Sequence, residues 1–301
     1  MSTLVFGGNG QVGQELLRAL APLGPLKATT RKEVLPDGTP CELADFDAPE
    51  SLIALLDRVR PTYVVNAAAY TAVDRAEQDR EAAFRANAES PAVIAQWCAR
   101  NGVPLVHYST DYVFDGQGSV PYPVDAPTAP LGVYGESKLA GEQAIRASGA
   151  RHLIFRTAWV YASHGHNFLR TMLRVGADRD ELKVVADQAG TPTPAALIAD
   201  ITAQALGAAE QAPSGTWHLT AAGQTSWHGF AEEIFRQAVA LGLLERSPTI
   251  TAISTTEYPT PAKRPAYSCL DTTTLVQDFG VTLPPWQAGV ARVLAEIAAA
   301  R

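Results

Sequence analysis

Tyr134 and Lys138 stand four positions apart in the run Tyr134-Gly135-Glu136-Ser137-Lys138, so on a helix they share one face. A phenol with its ordinary pKa of about 10 is a poor acid-base catalyst at neutral pH. A neighbouring ammonium stabilises the phenolate and lowers that pKa. The pair is therefore suited to giving a proton to an alkoxide as a carbonyl is reduced, and Lys138 can also bond the hydroxyls of a nicotinamide ribose. A second piece of the same chemistry lies near the N-terminus, where Gly7-Gly8-Asn9-Gly10-Gln11-Val12-Gly13 satisfies both Gly-x-x-Gly-x-x-Gly and Gly-x-Gly-x-x-Gly. Gly7, Gly10 and Gly13 allow a sharp turn and close approach of a diphosphate. The helix opening at Gln11 and Val12 points free N–H groups and partial positive charge at it.

Further residues fit around this pair. Ser109-Thr110-Asp111-Tyr112 closes an apolar run, where Thr110 can bond and polarise a substrate carbonyl and Asp111 can hold a sugar hydroxyl. The end of the second strand reads Ala28-Thr29-Thr30-Arg31-Lys32 and has no carboxylate. Arg31 there suits a ribose 2′-phosphate, so NADPH is favoured, with NADH allowed. Asp45-Phe46 can flank an adenine, and the small side chains of Asn66-Ala67-Ala68-Ala69 let a cofactor lie across strand ends. Arg264 lies in the proline-stiffened segment Pro261-Ala262-Lys263-Arg264-Pro265, suited to bidentate contact with a diphosphate. Trp159 offers a flat apolar face for a sugar ring. His164-Gly165-His166 has no convincing further ligand and reads as loop, His107 reads as a satisfied strand residue, and no metal is expected.

The elements that must position these groups alternate. Apolar runs at 3–6, 26–29, 63–66, 104–108 and 153–156 predict buried strands, with helical patterns at 11–20, 49–59 and 80–100. This βαβ alternation predicts an α/β fold: a Rossmann-type doubly wound parallel sheet covered by helices on both faces. The second half carries proline-containing loops at 191–194 and 256–265, helical patterns at 195–206, 227–241 and 287–300, and strand-like pieces at 183–186 and 216–219. We expect a nucleotide-binding domain over 1–165 and a smaller C-terminal substrate lobe over 166–301, with part of 183–220 returning to the sheet.

Among 301 residues, 47% are hydrophobic and the formal net charge is -7. That length and apolar share suffice for a sizeable core. The absence of any basic run argues against nucleic acid as a partner, so an anionic ligand must be held by local Arg residues and helix N-termini. Three scattered cysteines make no disulfide framework. With no secretory pattern at the N-terminus and no apolar run of about 20 residues, a cytoplasmic protein without membrane contact is expected.

Taken together, these motifs resemble the extended short-chain dehydrogenase/reductase family over essentially the whole chain. The resemblance is carried by Gly7 to Gly13, the runs 64–74, 107–114, 133–142 and 155–161, and Tyr258-Pro259-Thr260-Pro261-Ala262-Lys263-Arg264-Pro265. It implies the branch that reduces the C4 ketone of dTDP-4-dehydro-L-rhamnose, a sugar nucleotide. It implies a catalytic triad of Thr110, Tyr134 and Lys138. Around the cofactor it puts Gly10, Gln11, Val12, Asp45, Phe46, Ala69, Tyr70, Thr71, Tyr108, Tyr134 and Lys138, and at the substrate Thr110, Asp111 and Trp159. Some members form magnesium-linked dimers. Glu15 and Glu296 could match their carboxylates, but Ala195-Ala196 stands where a further acid is expected, so a homodimer is allowed and a metal is not expected. A 4,6-dehydratase of the same fold would carry Glu where Tyr112 stands. A non-catalytic regulatory subunit would not need Thr110, Tyr134 and Lys138.

Overall fold

Each apolar run of the first half becomes a strand of one parallel sheet. The computed structural model describes residues 2–207 and 213–300. In chain order the first half runs β1 (Thr3–Phe6), α1 (Gln11–Leu20), β2 (Leu26–Thr30), β3 (Glu42–Leu43), α2 (Ser51–Val59), β4 (Tyr63–Asn66), α3 (Val73–Ala76), α4 (Arg80–Phe84), α5 (Ser90–Asn101), β5 (Leu105–Thr110), α6 (Val133–Ala147) and β6 (His152–Thr157). The rest adds β7 (Val160–Tyr161), α7 (Phe168–Asp178), β8 (Glu181–Val185), β9 (Ala189–Gly190), β10 (Thr193–Pro194), α8 (Ala195–Gly207), β11 (Gly215–His218), β12 (Thr225–Ser226), α9 (Trp227–Ala240), β13 (Thr249–Ile253), α10 (Thr273–Phe279) and α11 (Trp286–Ala299).

The main sheet has the order β11-β6-β5-β4-β1-β2-β3, and every pairing in it is parallel. Side chains alternate faces along each strand. Leu4, Phe6, Val64, Leu105 and Ile154 pack toward α2, α5 and α6. Val5, Val65, Val106, Leu153 and Phe155 pack toward α1, α8 and α11. Burial on both faces is why these strands read as unbroken apolar runs. The strand order reverses at β1, which lies between β2 and β4, so a crevice opens beyond the carboxyl ends of β1 and β4.

Several features depart from the sequence reading. The single helix expected over 80–100 is α4 and α5 joined by a π turn at Arg85–Glu89, and the helices at Phe168–Asp178 and Thr273–Phe279 and the strand at Thr249–Ile253 were not anticipated. The C-terminal half builds small sheets of its own, with β8 parallel to β13 and β9 antiparallel to β12, while β11 extends the edge of the main sheet beside β6. No helix among the described residues is long and apolar enough to cross a membrane.

Candidate active site

The turn after β1 is shaped by its glycines. Gly7 has φ +80, and a Cβ on it would sit 2.7 Å from the backbone nitrogen of Ala68. Gly10 donates its N–H to Gly7 O at 2.9 Å and caps α1 without a side-chain bond. The first-turn N–H groups of α1 are thus left for a ligand. Gly13 serves packing: a Cβ there would collide with the Gly7 carbonyl.

From this turn a cleft of about 810 Å³ runs along the strand ends. Gly7, Gly10, Gln11, Val12, Arg31, Phe46, Ala68, Ala69, Tyr70 and Thr71 line one stretch of it, and Tyr108, Thr110, Asp111, Tyr134, Lys138 and Trp159 another. Three expected residues do not line it. Gly13 is buried inside α1 against Gly7 and Gly8, and Asp45 caps its own loop by accepting the N–H of Asp47 at 2.9 Å. Arg264 donates from Nη2 to Asp74 Oδ2 at 2.6 Å, so the expected phosphate anchor is an ion-paired guanidinium. Arg31 is exposed, with Asp47 Oδ2 3.4 Å away. Tyr108 faces two ways: its phenol is buried against Thr202 at 2.8 Å, and only its backbone serves the site.

That backbone holds Lys138. Nζ donates to Tyr108 O at 2.6 Å. Asn66 Oδ1 accepts the N–H of Ala68 at 3.1 Å, which turns its amide nitrogen toward His107 Nδ1 at 3.1 Å. A neutral imidazole then carries its proton on Nε2, and that nitrogen faces Nζ at 3.4 Å. The ammonium gains no acceptor there. Burial pushes its pKa down to about 8, the Glu142 carboxylate offsetting part of the effect. Burial together with the Lys138 charge keeps His107 neutral.

Tyr134 differs from the sequence expectation. Its acidity is not raised by Lys138. Burial drives the phenol pKa up, opposed by a hydrogen bond with Thr110 and reinforced by Asp111 and Tyr112. The reason is geometric: Nζ is turned onto Tyr108 O. Thr110 Oγ1 donates to Asp111 Oδ1 at 2.9 Å, and Asp111 Oδ2 is buried without a hydrogen-bond partner. Burial lifts the Asp111 pKa to about 6, with the Ser268 and Thr110 hydroxyls opposing.

Around these groups lie residues to which the sequence reading gave no role, and Trp159, to which it gave one. Asn87, in the π turn, accepts the N–H of Tyr70 at 2.8 Å and donates to Tyr70 O and Ser137 Oγ at 3.0 Å each, so it joins the cofactor-side loop to α6. A π turn at a functional site is a recurrent device. Glu142, buried on α6, pairs with Arg156 of β6 at 2.8 and 2.7 Å. Although burial opposes it, that pairing holds the Glu142 carboxyl below its ordinary range. Trp159 adopts a left-handed backbone, φ +48, and stacks on Trp227 at 3.6 Å and 8°. Only a residue without a Cβ fits beneath it, at Gly190. His166, read as plain loop, also lines the cleft. Among the described residues no cluster of His, Cys, Asp and Glu suits a metal ion.

The chain matches the family model of the RmlD substrate binding domain over residues 1–299. It is 47% identical over 299 residues to dTDP-4-dehydrorhamnose reductase of Shigella flexneri, covering 99% of this chain and 98% of that one. A crystal structure of a dTDP-4-dehydrorhamnose reductase from Clostridium acetobutylicum superposes with a TM-score of 0.89 at 33% identity, covering 99% of both chains. The Bacillus anthracis enzyme, solved in complex with NADP, gives 0.88 at 32% identity, covering 98% of this chain and 99% of that one.

Proposed function

This chain belongs to the RmlD substrate binding domain family, and from that premise we propose that it is a dTDP-4-dehydrorhamnose reductase. It reduces the C4 ketone of dTDP-4-dehydro-L-rhamnose with NADPH, and accepts NADH. The observation that carries the reading is the meeting of Thr110, Tyr134 and Lys138 in one cleft with the glycine turn, at the point where the strand order reverses.

The glycine turn fits a dinucleotide: Gly7, where a Cβ would strike the Ala67–Ala68 backbone, lets the chain turn sharply into α1, whose first N–H groups stay uncapped by any side chain. Gly7, Gly10 and the N–H groups of Gln11 and Val12 would hold its diphosphate, and Arg31 its 2′-phosphate. Phe46 would flank the adenine, and Ala68, Ala69, Tyr70 and Thr71 would form a wall. The bound nicotinamide supplies hydride. Lys138 uses one of its three N–H bonds on Tyr108 O and keeps the others for ribose hydroxyls. Burial keeps Tyr134 protonated at neutral pH, so it enters as a donor. As C4 gains hydride, the carbonyl π pair takes the Tyr134 proton and becomes a hydroxyl, leaving a phenolate that the Thr110 hydroxyl can bond. Thr110 bonds the C4 oxygen and orients it, Asp111 takes a sugar hydroxyl, and Trp159, fixed by Trp227, faces the ring. We place the enzyme in the cytoplasm, where the thiols of Cys41, Cys98 and Cys269 stay reduced.

The test is turnover of dTDP-4-dehydro-L-rhamnose with NADPH, following cofactor oxidation and product together. One NADPH consumed per product is expected. Turnover with the cofactor regenerated, or no turnover at all, would refute the reading.

A further inference from the structure

The ring of Tyr134 is braced by side chains from separate segments. Tyr112, just past β5, sets its ring edge-on to Tyr134, with centroids 5.5 Å apart and planes at 78°. Its carbonyl presses on Gly135, where a Cβ would collide with it, so Tyr112 and the first turn of α6 are packed backbone to backbone. Arg264 is paired with Asp74 Oδ2 at 2.6 Å, its Nη1 is buried without a hydrogen-bond partner, and its charge opposes the rise that burial imposes on the Tyr112 phenol pKa. Asp74 Oδ1 also accepts the N–H of Ala262 at 3.2 Å, so α3 grips the segment 262–264 at two points. At the other end of α3, Glu77 accepts the N–H of Val133 at 2.9 Å. This is the first residue of α6 and the neighbour of Tyr134. The short helix α3 thus ties the C-terminal segment to the helix start that carries the phenol.

A guanidinium neutralised by a carboxylate at 2.6 Å offers little field to a substrate phosphate, and Arg264 does not line the cleft. What it does reach is Tyr112. Pinning that ring restricts rotation of the aromatic ring packed edge-on against it, and a proton donor displaced by about 1 Å loses much of its rate. We infer that Arg264, through its pair with Asp74 and its contact with Tyr112, is a positioning residue for the Tyr134 phenol. The inference rests on Tyr134 being the proton donor.

The test is steady-state kinetics on the full-length enzyme with NADPH and the 4-dehydro sugar nucleotide. The variants are Arg264→Met, Arg264→Lys and Asp74→Asn, each alone and combined with Tyr134→Phe. Arg264→Met should lower kcat by about 10-fold to 10²-fold with substrate KM nearly unchanged, and Arg264→Lys should recover part of the loss. In the Tyr134→Phe background the same change should cost nothing further, because the group it positions is gone. If Arg264→Met fails to fold, Asp74→Asn, which keeps the shape and removes the charge, carries the same comparison. A rise in KM at constant kcat would overturn the inference and return Arg264 to phosphate binding, and so would a full additional loss in the Tyr134→Phe background. If Tyr134→Phe alone is crippled while the Arg264 and Asp74 variants are not, only the positioning role falls. If Tyr134→Phe turns over like the parent, the donor assignment falls and the positioning role falls with it.

Discussion

Replacing Lys138 by Met should stabilise the protein while disabling it. Lys138 is only 2% exposed and has one firm acceptor, Tyr108 O. Burial lowers its pKa from the ordinary 10.5 to about 8. Between those values the unfolded chain holds a proton that the folded chain has released. Stability therefore rises with pH across that window, and the penalty for the buried charge is fully present below about pH 8. The drop corresponds to about 3 kcal/mol. Met is close to Lys in length and carries no charge, so the substitution removes that penalty. It also removes the amine's hydrogen bond to Tyr108 O, about 1 kcal/mol net, which leaves a gain of about 2 kcal/mol at neutral pH. Urea unfolding followed by circular dichroism, at about pH 7 and about pH 9.5, measures both ends. The advantage of the variant should shrink below about 1 kcal/mol at the higher pH, where the native lysine has lost most of its penalty. Turnover should fall and NADPH should bind more weakly at either pH. A variant less stable than the parent at neutral pH, or an advantage that ignores pH, would refute the reasoning.

Tyr134→Phe should lower kcat by at least about 10²-fold with the NADPH Kd, measured by fluorescence titration, nearly unchanged; near-normal turnover would remove Tyr134 as donor. Glu142→Gln leaves the buried Arg156 without its carboxylate and should cost about 3–5 kcal/mol of stability near neutral pH. Because the Glu142 pKa is depressed in the fold, the difference between variant and parent should narrow as pH falls below the ordinary carboxylate range, and unfolding curves at two pH values would show whether it does. Arg31→Ala should reduce kcat/KM with NADPH and leave NADH kinetics alone; equal effects on both would make Arg31 a solvated loop residue.

Much of the fold was legible because its signals are local. Leu4, Val5 and Phe6 form an unbroken apolar run since a central parallel strand is buried on both faces. The glycines of the turn are required by backbone approach, and Tyr134 and Lys138 share a helix face by spacing alone. The π turn at Arg85–Glu89 was illegible because its sequence has ordinary helical character; what selects it is Asn87 reaching Tyr70 and Ser137. Arg264 looked like a free cation because Asp74, 190 positions earlier, is brought to it only by folding. The acidity of Tyr134 followed the same rule. Sequence places an ammonium four residues away, but tertiary structure turned that ammonium onto Tyr108 O and buried the phenol, and desolvation prevailed. Residue spacing along the chain determines which groups share an element, whereas the partner and the solvent each group meets depend on which distant segments the packed core brings beside it.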